Sequence, residues 1–432
     1  MKHTINKTIF LALGLSAAMM LGSCKKDYTD PNKATEDQVF SSAKGLTGVV
    51  VGLQRVFSLG RGGNLYNLIT INGLLTNELI VVNTGNTAEV QLAAGGTLVD
   101  GNHTMLTTFW TNCNKVIYDA NLVIANAKNL ADKNYASGLI AYASIFKAMS
   151  IGALAQFWEK VPAGIGTNMT FIDRVEGFKN AITTINDAQA AIAANAISAS
   201  FISNVPANGI DIINTLNALK ARYSLYAGLY AQALTAALAV DITKKSIFNF
   251  DALSPNPLFD VATSTNNVVQ PKDSTLGSVP APLIPDGRVA FYTSINPATA
   301  PRFRINGFGN AVTTGIPVYL PGEISLIKAE CYARTNDSTN SKILLNSVIT
   351  KTAGTDPFGV GANTAAINSF GSYAALLDEI YKQRNIELFM SGQKLEDMRR
   401  FARPLSERKR NLMPYPLRER DNNPNTPADP SF

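Results

Sequence analysis

In LNALKARYSLYAGLYAQALTAALAV, Leu216 to Val240, two helical repeats flank one glycine. Leu219, Tyr223 and Tyr226 recur at helical spacing and so share one face of a helix. The chain then turns at Gly228, and Tyr230, Ala233 and Ala237 take up the same spacing. Small residues at those positions let two antiparallel helices approach closely. The same period runs through Val39–Phe57, His103–Leu130, Ala136–Phe157 and Val175–Ala194, with a second apolar segment at Leu65–Val82. It resumes from Pro321 to Phe401. Val161-Pro162 breaks the helical pattern, and Asn83–Gly101, rich in Gly, Thr and Asn, reads as a loop region.

The order Gly, Tyr, Ala in the Leu216–Val240 segment resembles a tetratricopeptide-type hairpin, although no strict period of about 34 residues is present. A degenerate array of hairpins fits better. Between Phe248 and Pro317 the chain changes character, with LSPNPLFDV, LGSVPAPLIPDG and SINPATAPRF rich in Pro, Asn, Gly and Ser. So long a non-helical stretch is more often functional or lobe-forming than a connector. The end, PYPLRERDNNPNTPADPSF, reads as an extended tail. The expected fold is mostly α, with tetratricopeptide-like helical hairpins and an irregular, loop-rich lobe. A single domain is expected over 39–432, with a helical part at 39–247, the lobe segment at 248–317 and a C-terminal helical part and tail at 318–432.

At the N-terminus, Lys2 and Lys7 precede the apolar run IFLALGLSAAMMLG and then LGSC, ending at Cys24. The run is shorter than the roughly 20 residues of a membrane span and reads as a signal peptide over 1–23. Leu21, Ser23 and Cys24 resemble the lipobox of bacterial lipoproteins, which implies cleavage before Cys24 and acylation of that residue, with 24–38 as a tether. An ordinary secretory leader with a chance cysteine is the alternative. Apolar residues make up 46% of the chain and charged residues 16%, so Asn, Thr and Ser must cover much of the surface, as suits an extracytoplasmic protein. The formal charge of +6, less the two leader lysines, is too mild to indicate nucleic acid.

The sequence carries few of the motifs that catalysis needs. Beyond His3 the only histidine is His103, expected at a helix start; C-x-x-C, H-E-x-x-H and G-x-S-x-G do not occur. No cofactor is indicated, although calcium held by Asp and Asn oxygens stays open. Ser-x-x-Lys occurs at Ser144, Ser41, Ser325, Ser391 and Ser406, a frequency that marks chance. LGRGGN, Leu59 to Asn64, lacks the Lys-Ser or Lys-Thr of a phosphate loop. Cys113 and Cys331 read as small buried hydrophobes, a disulfide between them being the alternative.

RNIELFMSGQKLEDMRRF, Arg384 to Phe401, packs Glu387, Glu396 and Asp397 among Arg384, Lys394, Arg399 and Arg400. Paired carboxylates near cations suit general acid–base work, and equally suit an ion-pair network. On the helix expected from Tyr373 to Met390, Tyr373, Leu377, Ile380 and Leu388 form an apolar stripe with Arg384 in line. A guanidinium there needs a partner, for which Glu387, Asp397 and Glu330 are candidates. Gly392 suits a helix C-cap, and Glu396 is expected to support Arg400 on the surface. The segment reads as a structural corner of Arg384, Glu387, Asp397 and Arg400.

These features together resemble the SusD/RagB family of Bacteroidetes outer-membrane lipoproteins. The resemblance rests on Glu379-Ile380, Arg384, Glu387-Leu388, Gly392, Asp397, Arg399-Arg400, Pro414–Pro416 and Asn423-Pro424-Asn425. Ala329-Glu330, LNSVITKTAG from Leu345, FWTNCNKVIYDANLVI from Phe109 and FWEKVP from Phe157 extend it over nearly the whole mature chain. Phe146-Lys147-Ala148 stands where the family usually has Leu-Arg-Ala, and the tail ends differently. The resemblance implies a non-catalytic, cell-surface protein, lipid-anchored in the outer membrane. It would capture oligosaccharides or peptides for a SusC-type TonB-dependent β-barrel transporter. The alternatives are an anchored hydrolase using the 379–400 carboxylates, or a purely structural lipoprotein.

Sugar binding needs aromatic faces together with amides and guanidinium groups that reach hydroxyls. Arg288, Phe291, Tyr292, Arg302, Phe303 and Arg304 form the densest such cluster in the irregular segment, and Asn83 and Asn86 are polar candidates in the earlier loop. The aromatics could instead form the lobe's own core. Trp110 and Trp158 fall in scaffold segments and are expected in the core.

Overall fold

The computed structural model describes residues 36–206, 209–264, 266–298 and 300–431; Cys24, the leader and the tether up to residue 35 lie outside the described residues. Helices dominate. The decisive hairpin consists of α9 (Ile212–Tyr226) and α10 (Tyr230–Leu238), joined at Gly228 with φ +74°. That left-handed conformation is one glycine adopts without a Cβ penalty, so the chain reverses there. Asp211 caps the first helix by accepting from the Asn214 amide.

The preceding helices are α1 (Glu36–Phe40), α2 (Ala43–Ser58), α3 (Asn64–Leu75), α4 (Thr87–Ala94), α5 (Thr104–Ala127), α6 (Lys133–Phe157), α7 (Arg174–Ala194) and α8 (Ala199–Asn204). Helix α2 packs on α5 and α6, α6 on α5 and α7, and α7 on α9, so neighbours in sequence are neighbours in space. Helix α6 is long and apolar enough to cross a membrane by length and composition, but 89% of its most apolar window is buried among the other helices. It is the core helix of the array.

This half departs from the sequence pattern at three places. The Val39–Phe57 pattern is two helices, because Ser42 leaves helical geometry to cap α2 through the Gly45 amide. Leu65–Val82 ends as strand β1 (Leu79–Val81), and the loop region after it holds α4 and a 3₁₀ turn at Gly96–Leu98.

The lobe is built from short antiparallel ribbons: β1 with β5 (Val269–Pro271), β4 (Ile247–Phe248) with β8 (Ile316–Pro317), and β6 (Thr293–Ile295) with β7 (Phe303–Ile305). Strands β2 (Lys160–Pro162) and β3 (Phe171–Asp173) form a fourth ribbon beside α7. Helix α11 (Gly287–Tyr292) lies within the lobe. The chain then returns to helices with α12 (Pro321–Arg334), α13 (Ser338–Ile349), α14 (Tyr373–Glu387) and α15 (Lys394–Arg400). Helix α12 packs on α10, α13 and α14, which continues the array.

The tail is strapped back onto the N-terminal half. Trp158 donates to the Pro414 carbonyl at 2.9 Å, Trp110 donates to Glu419 at 3.2 Å, and the two indole rings meet edge to face at 4.8 Å. A short helix, α16 (Leu417–Asn422), interrupts what the sequence presents as an extended tail. Both tryptophans are buried, as are Cys113 and Cys331, which are free thiols.

Candidate functional site

The Arg384–Arg400 corner is an interior structure. Arg384 has no exposed surface and holds Asp397 with two bonds, Nε to Oδ2 at 2.8 Å and Nη2 to Oδ1 at 3.0 Å. Arg400 joins them, donating to Asp397 at 2.8 Å and to both Glu330 oxygens at 2.7 and 2.9 Å, while Arg334 reaches Glu330 at 2.8 Å. Burial would raise the Glu330 carboxyl, but Arg400, Arg384 and Arg334 together hold it at about 2. Three cations and two carboxylates thus lock α12, α14 and α15 into one block.

Glu387 does not pair with Arg384 as expected. It points away and accepts from Arg288 Nη1 at 3.2 Å and from Lys351 Nζ at 2.6 Å. The reason is space: a Cβ on Gly322 would collide with Glu387 Oε1, so the carboxylate occupies a slot that a glycine on α12 leaves open. Glu396 departs from expectation as well. It is buried and pairs with Arg174 of α7 and with Arg399 at 2.9 Å, leaving Arg400 to Glu330 and Asp397. Tyr373 is exposed, and Leu376 takes the buried place on that face. Helix α14 ends at Glu387; Gly392, with φ +75°, turns the connection to α15 rather than capping the helix directly.

The lobe candidates separate into two groups. Arg288 is fully buried, bonded to Asp286 at 2.7 and 3.0 Å and to Gln383 at 2.6 Å, and Tyr292 donates to the Glu387 carbonyl at 2.6 Å. Both are therefore corrected from ligand contacts to anchors that tie α11 to α14. Phe291 is half-buried, its ring packed edge-on against Tyr292 at 5.0 Å and Phe308 at 5.2 Å, as the lobe-core alternative anticipated.

The second group reaches the surface. Asn83 and Arg302 are exposed and Asn86 half-buried. The structure brings the Asn83 loop and the β6–β7 ribbon together through one turn. Asn83 Nδ2 donates to the Asn266 carbonyl at 3.2 Å, and Arg304 Nη1 donates to Asn267 Oδ1 at 2.9 Å. Beneath them the buried Gln270 accepts from the Ile305 amide at 2.8 Å and donates to Asn267 at 2.9 Å, clamping β5 to β7. Helix α4 is held from the other side by Arg61, whose guanidinium grips the buried Glu89 at 2.6 Å. The rim therefore presents amide and guanidinium groups on a fixed frame, suited to hydrogen-bonding hydroxyls. Asn266 and Asn267 escaped the sequence reading; their signal was an Asn-Asn turn next to VVQ, with Asn267 at φ +43°.

His103 is no free base. It caps α5 through Nδ1, its Nε2 lies 2.9 Å from the Ala88 carbonyl, and burial holds its pKa below the usual value. Among the described residues no group of three or more His, Cys, Asp or Glu side chains is placed to hold a metal ion.

A helical array carrying an irregular lobe, fixed by a buried charge corner and presenting a polar rim, defines the class of protein. The SusD family model matches residues 311–429, the segment that holds the corner. No curated protein matches the chain. Solved structures match over nearly its full length. A SusD superfamily protein of Bacteroides thetaiotaomicron has a TM-score of 0.70 at 14% identity, covering 90% of this chain and 100% of that one. One from Bacteroides fragilis has a TM-score of 0.67 at 16% identity, covering 90% and 99%. A SusD-like carbohydrate binding protein of Bacteroides vulgatus has a TM-score of 0.65 at 15% identity, covering 83% of each chain. The C-terminal segment 311–429 thus matches the SusD family, and the fold of nearly the whole chain is similar to that of SusD superfamily structures.

Proposed function

We propose that the protein is a non-catalytic, cell-surface binding protein that captures an oligosaccharide at the lobe rim. It then passes the ligand to a SusC-type TonB-dependent transporter. The observation that carries the non-catalytic reading is the state of the carboxylates. Glu387, Asp397 and Glu396 are each buried and each held by two cations, so the 379–400 segment offers no open acid–base pair to a substrate. Similarity to structures described as SusD-like carbohydrate binding proteins supports a sugar as ligand, with a peptide as the second class. Polar groups outnumber open aromatic faces at the rim, which favours a ligand bound through its hydroxyls over a stacked glucan. The LGSC sequence supports lipid anchoring at Cys24 in the outer membrane.

The transporter partnership is tested by purification from native membranes in mild detergent, with mass spectrometry of the partners. A large outer-membrane β-barrel is expected to co-purify in stoichiometric amount. Recovery of the protein without one overturns that part of the reading.

A further inference from the structure

Helices α5, α6 and α7 enclose a groove that neither the rim nor the charge corner uses. Asn121 of α5 stands on one wall, Asn180 and Asp187 of α7 on the other, Lys147 of α6 lines the space between them, and the turn after β2 closes one end. The cavity measures about 250 Å³ and adjoins a second of about 250 Å³, with which it shares Asn114 and that turn. Its walls are three packed helices, so the space is a fixed feature of the array.

Lys147 is the anomaly. Phe146 and Ala148 on either side of it in sequence are apolar and buried, and its own side chain is half exposed. Its ammonium closes no hydrogen bond or ion pair among the described residues; Asp187 faces it across the groove without pairing, and Lys128 is the other charge nearby. Burial pulls its pKa below the usual lysine value, with Asp187 only partly opposing the fall. Desolvation outweighs the Asp187 attraction at this ammonium, so a closer anion would be favoured there. The side-chain amides of Asn121 and Asn180 likewise line the groove with no hydrogen bond within the described chain.

We propose that this groove is a second binding site, for a small solute whose carboxylate pairs with the Lys147 ammonium while Asn121 and Asn180 hydrogen-bond its adjacent polar groups. The cavity by itself lies below the roughly 300–1,000 Å³ of pockets for drug-sized ligands, which suits a single small unit at Lys147. A uronic acid and an N-acylated amino acid share this chemistry. The proposal stands apart from the lobe reading, because no groove residue belongs to the rim.

The test titrates the mature protein with D-glucuronate, D-glucose and N-acetylglycine, read by saturation-transfer NMR and calorimetry. At least one carboxylate probe should bind saturably, and D-glucose should bind at least about tenfold more weakly, the loss expected for one charge-assisted hydrogen bond. Which carboxylate binds identifies the source of the ligand. Lys147→Met should reduce that affinity by about tenfold or more, and Lys147→Arg should keep most of it. On the wild-type chain alone, the saturating carboxylate should protect Lys147 from amine-reactive labelling, read by peptide mass spectrometry. Failure of both carboxylates to saturate, equal affinity in Lys147→Met, or unprotected Lys147 overturns the proposal.

Discussion

Replacing Arg384 by alanine removes the centre of the charge corner. The guanidinium is wholly buried and gives two bonds to Asp397, at 2.8 and 3.0 Å. In Arg384→Ala, Arg400 at 2.8 Å is the cation left to Asp397 among the described residues, and the long side chain leaves a void between α14 and α15. Removing one partner of a buried pair costs about 3–5 kcal/mol, because the other charge stays desolvated. Unfolding entropy of about 2 cal/mol/K per residue sums to about 0.8 kcal/mol/K for about 400 residues, so Tm should fall by about 4–6 °C. Calorimetric melts at pH 7 measure this directly. The cycle with Asp397→Ala sharpens it: removing Asp397 should cost about 1–3 kcal/mol less in the Arg384→Ala background than in the wild type, since the two residues touch. A melt that superimposes on the wild type, or two losses that simply add, would refute the buried-clasp account.

Other perturbations follow from the same contacts. Glu330, at about 2 in the fold against 4.5 for the free group, contributes stability that is full above about pH 4.5 and disappears as pH falls toward 2. The stability gap between wild type and Glu330→Gln in urea titrations should therefore close across that window, and a gap independent of pH would exclude the pairing. Gly322→Ala should cost about 1–3 kcal/mol, because the new Cβ displaces the Glu387 carboxylate from Lys351 and Arg288. Hydrogen exchange should then quicken in Gly287–Tyr292, which Glu387 anchors; unchanged exchange would refute that link. Arg302→Ala and Asn83→Ala should leave Tm within about 1 °C, since both side chains are exposed, while Arg302→Ala weakens oligosaccharide binding by about tenfold. Undiminished affinity in both would move the site away from the rim.

The helices were legible because burial on one side of a 3.6-residue repeat leaves a period in the sequence, as Leu219, Tyr223 and Tyr226 show. The lobe ribbons were not. Strands of two or three residues cannot display alternation, and β1 finds its partner β5 across the whole intervening array. The corner was legible where its partners are near: Asp397 lies 13 residues from Arg384 across one turn. Glu387 was misassigned because its cations lie 36 and 99 residues away, and no local pattern announces them. Arg288 and Tyr292 were misread for a different reason. Aromatic and guanidinium groups serve a sugar site and a polar core equally well, and only burial separates the two uses. His103, by contrast, sits where a residue preceding an apolar helical run should sit, at the N-cap of α5.

The measurement that bears most directly on the central claim is a calorimetric titration of the purified mature protein against a panel of oligosaccharides, with chromatography of each ligand after incubation. The account predicts saturable binding of at least one member and its recovery intact. Release of products that persists through purification and vanishes in Glu387→Gln or Asp397→Asn would contradict it and restore the hydrolase.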